Sequence, residues 1–336
     1  MYKIIKDTAF STAHRFGILS RLHTLDKHYS TSVYVLAYHR VDDVGAQPEL
    51  DPQNLSTTPE IFDQQMRLIS QEYHPVSSDD VLDFIISHKS LPPRSVLITV
   101  DDGYLDFKKY IWPIANHYGI RPVLFVPTAY VGTGAFWWDR LYDALQHTKL
   151  KQVETPIGSM LVDTKLERYH AFMKLADYMK QSPFDKAFIE ITNLSRELFP
   201  EQIFAERTTL DWDELRKLAA AGVTLAPHTH NHPALGNITP VQVNFEISES
   251  QRLLKSETGV ETPLFAYPYG SHEAIGTSAA ELLRISGVHG AFTMKQGRAN
   301  LERNDLMYLP RIPIYPKLSM PQLHAKLTPI FDILRN

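Results

Sequence analysis

The chain contains no cysteine, which removes disulfides, thiolate zinc sites and a thiol nucleophile together. It has no run of about 18 apolar residues, so nothing in it reads as a membrane-crossing helix. Basic residues are not in excess. Lys and Arg number 34 against 38 Asp and Glu, a net charge of −4, and no overall positive field recommends nucleic acid as a partner. Internal repeats and low-complexity segments are also lacking. The opening MYKIIKDTAFSTAHRFGILSRLH has no continuous apolar core and no small-residue cleavage site, so it does not read as a secretory signal. The expectation is a cytoplasmic protein, with membrane association kept open. Residues 1–30 are expected as a helical extension. Its apolar and basic residues suit either packing on the body or peripheral contact with a membrane surface.

What is present is 336 residues, 43% hydrophobic and 21% charged, enough for one large domain or two small ones. Short apolar runs alternate with helical patterns. VYVLAY (33–38), SVLITV (95–100), PVLFV (122–126), VTLA (223–226), LFAY (264–267), GAFTM (290–294) and MYLPRI (307–312) read as strands. Helices are expected after Pro59, up to Tyr118 before Gly119, over 212–221, and over about 240–257 and 274–286. Residues from about 136 to 206, rich in aromatics and helix formers, read as a helical insertion. The expected organisation is therefore an N-terminal extension over 1–30, a body over 31–315 interrupted by that insertion, and a C-terminal helix over 316–336. Parallel strands joined by helices give an α/β fold, either a barrel or an open sheet. In both, active sites collect at the C-terminal ends of strands.

His39, Asp101, Asp102, His228, Tyr269 and Arg311 all follow or end such strands. Asp101 and Asp102 precede Gly103, whose freedom permits a sharp turn that could bring both carboxylates to one rim, although side chains within a strand alternate faces. Asp-Asp-Gly by itself is most often an ordinary turn. His228 and His232 stand four apart in PHTHNHP, bracketed by Pro227 and Pro233 in a loop. In a chain with 15 histidines that spacing alone proves nothing; its place at a strand end is what matters. Two imidazoles and the Asp102 carboxylate would make a ligand set suited to zinc or another first-row divalent metal, with a position left for water. Asp101 could then serve as general base.

In order, TVDDGYLD (99–106), HTHNHPAL (228–235) and FAYPYG (265–270) resemble the motifs of the polysaccharide deacetylases, carbohydrate esterase family 4. YHRV (38–41) and LPRI (309–312) are similar to the branch acting in exopolysaccharide or capsule assembly. The resemblance spans about residues 33–315 and implies a distorted (β/α) barrel. It implies Asp101 as base, Asp102, His228 and His232 as metal ligands, Thr229 as a loop-steadying hydrogen-bonding residue, and the Tyr269 backbone N–H as an oxyanion donor. The implied cofactor is a divalent metal, Zn²⁺ first, with Co²⁺, Ni²⁺ or Mn²⁺ as alternatives. The implied activity is removal of an N-acetyl group from an N-acetylhexosamine-containing oligo- or polysaccharide or its precursor. Hydrolysis of a non-sugar amide or O-acetyl ester, or an inactive carbohydrate-binding relative, are the alternatives.

Two departures from the family pattern stand out. Ala266 occupies the third-motif position where many members carry the arginine that orients the base, and Arg311 is the expected substitute. No late Leu-x-His supplies a general acid; His324 and His289 are poorly placed, and His39 is the best-placed histidine. Trp137 and Trp138 are left as core, His230 as a residue outside the ligand set, and Asp106 as a stabiliser of the helix it begins.

Overall fold

The computed structural model describes residues 29–43, 45–201 and 207–329, with positions 12 and 18. The extension expected over 1–30 and its membrane contact fall almost wholly outside them. No helix among the described residues is long and apolar enough to cross a membrane.

Seven strands form the body: β1 (Ser32–Tyr38), β2 (Ser95–Val100), β3 (Val123–Val126), β4 (Thr224–Pro227), β5 (Leu264–Ala266), β6 (Gly290–Gln296) and β7 (Leu309–Pro313). They run in the order β5-β6-β7-β1-β2-β3-β4, and every pairing along that path is parallel. The end strands β4 and β5 lie side by side without a ladder between them. The result is a nearly closed (β/α) barrel.

β1 and β2 are buried at every residue, which is why both read as unbroken apolar runs instead of alternating ones. Parity divides their side chains. Tyr34, Leu36, Tyr38, Val96, Ile98 and Val100 pack with Phe62, Met66 and Ile69 of the helix Pro59–Glu72, outside the barrel. Val33, Val35, Leu97, Phe125, Ala226, Ala266 and Leu309 meet one another inside. Asp101, His228 and Arg311 share the inward parity of Leu97, Ala226 and Leu309, so the pleat aims all three at the barrel axis.

Capping decides several helix starts. Pro59 takes the first turn after Thr58, and Thr239 forms a reciprocal capping box with Gln242 ahead of the helix Pro240–Thr258. That helix stops at Gly259 in the left-handed conformation. The helix ending near Tyr118 begins as a π-helical stretch, Phe107–Ile111, before Trp112–His117. The C-terminal helix expected over 316–336 is described only as Met320–Lys326, started by a Ser319–Gln322 capping box.

Between β3 and β4 lies the insertion. Its helices Trp137–His147, Lys165–Gln181 and Phe184–Leu198 bury a separate apolar cluster that includes Phe136, Leu141, Phe172, Leu175 and Ile191. It also carries a hairpin, Gln152–Thr155 with Gly158–Leu161, where no strand was expected. The hairpin's exposed residues lack the apolar alternation that marks a half-buried strand.

Candidate active site and metal centre

Asp101 leaves the end of β2 and meets Arg311 of β7 across the intervening β1. Arg311 Nη1 donates to Asp101 Oδ1 at 2.8 Å and Nη2 to Oδ2 at 2.7 Å. The guanidinium is completely buried; Nε donates to the Thr293 carbonyl at 3.0 Å, and Nη1 and Nη2 also donate to Thr99 Oγ1 and Met294 Sδ, each at 3.2 Å. Burial pushes the Asp101 carboxyl up, but the Arg311 charge and hydrogen bonds outweigh it and hold the group well below the usual carboxylate range. The guanidinium missing at Ala266 is thus supplied from β7.

Asp102, one residue on, would face away if the strand continued. It instead takes φ +76° with Gly103 at +71°, and the reversal puts both carboxylates on one rim. Thr229, His232 and Tyr269 likewise have φ of +65°, +58° and +61°. Four non-glycine residues in this sparsely populated region at one rim mark backbone held for a purpose other than stability. Beyond Tyr269, Gly270 is required outright. A Cβ there would lie 2.4 Å from the Met294 amide nitrogen, which bonds the Gly270 carbonyl at 3.0 Å.

Ligand atoms of Asp102, His228 and His232 lie within 4.8 Å of one another, and all three residues are buried. Asp102 Oδ1 is 3.7 Å from His228 Nε2 and 3.5 Å from His232 Nε2. His228 Nδ1 is 2.6 Å from the carbonyl of Ala266, across the open β4–β5 seam. A carbonyl only accepts, so Nδ1 carries the proton and Nε2 keeps its lone pair toward Asp102. Thr229 Oγ1 accepts the His232 amide at 3.0 Å and steadies the loop.

Burial lowers His228 to about 4, and burial together with His228 takes His232 well below its ordinary value; both rings are neutral, the form that binds metal. Burial, then Asp101 and Asp139, push Asp102 well above the carboxylate range. Asp102 Oδ1 and His232 Nδ1 are buried without a hydrogen-bond partner. Two neutral imidazoles, a carboxylate penalised for its charge and an orphaned oxygen between them fit a divalent cation.

A cavity of about 160 Å³, open to solvent, joins these groups. His39, Asp101, Asp102, His228, His232 and Tyr269 line it; Arg311 lies beneath Asp101, out of its reach. His39 Nε2 stands 4.0 Å from Asp101 Oδ2. Burial, aided by the Arg311 charge, lowers the His39 pKa, and the opposing Asp101 charge does not restore it. Among the described backbone hydrogen bonds none is donated by the Tyr269 amide. Its ring packs on His232 at 5.0 Å.

Sequence reading passed over much of the cavity wall. Trp137, Trp138, Phe172, Met173 and Lys180 of the insertion, with Asp51 and Asn54 from the loop after β1, complete it. The adjacent tryptophans were the available signal, but buried tryptophans also serve as core, and here they do both. Asp106, expected to stabilise the helix it begins, stands directly before the stretch Phe107–Ile111. It makes no side-chain cap, and its carboxylate, pushed to about 7 mainly by burial, accepts the Val41 amide at 2.5 Å. His230 turns from the cavity to Thr128 and Phe245. His324 is buried beside Tyr73 and Glu72, and His289 is exposed; neither lines the cavity.

The family profile described as polysaccharide deacetylase matches residues 88–288. A poly-β-1,6-N-acetyl-D-glucosamine N-deacetylase of Escherichia coli K12 is 25% identical over 308 residues, covering 83% of this chain. The chain spans 36% of that relative's length. Among solved structures, the Streptococcus pyogenes deacetylase PplD in complex with acetate aligns with a TM-score of 0.60 at 18% identity, over 89% of this chain and 100% of its own. IcaB from Ammonifex degensii aligns at 0.57 and 19% identity, over 88% of this chain and 97% of its own. These two show the same fold. With the profile covering more than half of its length, this chain belongs to the polysaccharide deacetylase family.

Proposed function

We propose that this protein hydrolyses the acetamido group of N-acetylhexosamine units in an oligo- or polysaccharide, releasing acetate and leaving an amine on the sugar. The observation that carries the reading is one rim holding both a buried carboxylate clamped by arginine and an Asp/His/His ligand set, facing one open cavity. The E. coli relative, named for poly-β-1,6-N-acetyl-D-glucosamine, makes that polymer the first substrate to try.

Asp102, His228 and His232 would hold the cation, and the donor set favours zinc over cobalt, nickel or manganese as the one to test first. When bound, it supplies Lewis acidity, acidifying a water and polarising the acetamide carbonyl. Asp101 accepts the proton of the attacking water; Arg311 fixes both its oxygens and keeps it ionised. Held so far below the carboxylate range, Asp101 is a poor store for that proton. His39, 4.0 Å away, passes a proton on to the leaving nitrogen, so the water's proton ends on the amine. The Tyr269 amide donates to the oxygen of the tetrahedral intermediate. The Trp137 and Trp138 rings form a wall suited to the apolar face of a sugar.

Acetate release from N-acetylglucosamine oligomers, by chelator-stripped protein with and without added zinc, tests the proposal. Zinc-restored acetate with a matching gain of free amine is expected. No acetate from any oligomer, by protein shown to hold zinc, would refute it.

A further inference from the structure

The insertion contributes neither ligand nor base, yet it bonds to the turn that carries one ligand and packs on another. Tyr104 lies two residues beyond Asp102 on the turn after β2. Its hydroxyl donates to Asp139 Oδ2 at 2.9 Å and accepts from Trp138 Nε1 at 2.8 Å. Asp139 Oδ1 accepts the Asp51 amide at 2.9 Å, so one carboxylate ties the loop after β1, the turn after β2 and the first insertion helix together. Asp139, Tyr104 and Trp138 are all buried, so water does not compete for these bonds.

The other end of the network reaches His232. The Trp138 ring is held between Phe136, stacked at 4.3 Å, and His232 at 4.9 Å. The two histidines of the ligand set are positioned by different means. His228 is fixed by the Ala266 carbonyl, whereas His232 Nδ1 is buried with no hydrogen-bond partner. Ring packing by Trp138, Tyr269 and His228 is what orients His232.

We propose that Asp139, Tyr104 and Trp138 are positioning residues for the metal centre: the insertion, through this chain of hydrogen bonds, sets both the Asp102 turn and the His232 ring. The inference rests on the proposed metal role of Asp102, His228 and His232. It makes cation affinity depend on a carboxylate that touches no cation. Partners that orient metal ligands are typically worth about 10–100-fold in affinity.

Tyr104→Phe keeps the ring and removes the hydroxyl that joins Asp139 to Trp138; Asp139→Asn keeps the shape and removes an acceptor. Neither residue lines the cavity. Wild-type and variant proteins are stripped of metal, checked for fold by circular dichroism and thermal melting, and titrated with zinc against a competing chromophoric chelator. The expected result is roughly 10–100-fold weaker zinc binding by folded Tyr104→Phe, with Asp139→Asn shifted the same way. Should Tyr104→Phe not fold, Asp139→Asn alone is read by the same criterion. Wild-type zinc affinity in a folded variant overturns the proposal, as does failure of both variants to fold, which would make the network a stability element. Absence of zinc binding by the wild type itself would instead sink the metal assignment beneath it.

Discussion

Arg311 and Asp101, 210 positions apart, meet as a side-on pair with two nitrogens on two oxygens at 2.8 and 2.7 Å, both side chains buried. Such a pair fixes direction as well as charge, because the planar guanidinium presents two parallel donors to a planar carboxylate. The Asp101 carboxylate, the proposed base, is thereby aimed, and its remaining lone pairs are left free of the guanidinium.

Removing the arginine should therefore damage both folding and catalysis. Arg311→Met strands a buried carboxylate, a change that typically costs about 3–5 kcal/mol. Arg311→Lys keeps a charge but loses the paired geometry, and is expected to melt closer to wild type while kcat falls by at least about tenfold. Thermal melting and steady-state kinetics on the two variants check this. Wild-type kcat in Arg311→Lys would show that orientation of the base is not limiting.

Asp101→Asn fills nearly the same space but cannot accept the water's proton. The variant is expected to fold and to bind zinc as wild type does, with acetate release lower by about 10²–10⁴-fold. Near-normal turnover by the zinc-loaded variant removes Asp101 from the mechanism.

His228→Ala and His232→Ala each delete one of two neutral nitrogen donors. Elemental analysis after dialysis should find about one divalent ion per wild-type chain and little in either variant. Full metal in both variants would mean the cation sits elsewhere.

Away from the site, Glu214 offers a test at acid pH. Burial pushes its carboxyl up, but hydrogen bonds from Arg207, the Asp211 backbone and Lys108 bring it down to about 2, against an ordinary 4.5. A folded-state value below the unfolded one stabilises the protein above about pH 4.5, and the contribution fades as pH falls toward 2. Glu214→Gln should lower the urea midpoint at neutral pH and depend less on pH across that window. Parallel curves for the two proteins between pH 5 and 2.5 would contradict the assignment.

Most of the barrel was legible in the sequence because its signals are local. An apolar run such as SVLITV is a buried strand whatever it pairs with, and Asp-Asp-Gly announces a turn at its own position. The Asp102, His228 and His232 cluster was likewise readable as motifs at strand ends. His39 and Arg311 could be picked out from their places after β1 and in β7, and Asp101 was the partner expected of Arg311; the Thr293 carbonyl and Thr99 hydroxyl that also hold the guanidinium lay beyond the sequence.

Sequence by itself determined the barrel's element types, the strand ends where chemistry gathers, and the donor atoms on offer: two imidazoles, two adjacent carboxylates and a late arginine. Tertiary structure decided which of them meet. β7 and β2 flank β1, so inward-facing Arg311 and Asp101 converge, and the alternation already present in each strand gains an inside to face only once the sheet curls into a barrel. The positive φ of Asp102 turns a side chain that alternation would send outward. Apart from the adjacent Trp137 and Trp138, the insertion gave no readable sign of its place over the site. Trp138, Asp139 and Lys180 sit on helices whose own pattern serves a separate apolar cluster, and no local period records which loop of the barrel that cluster will rest upon.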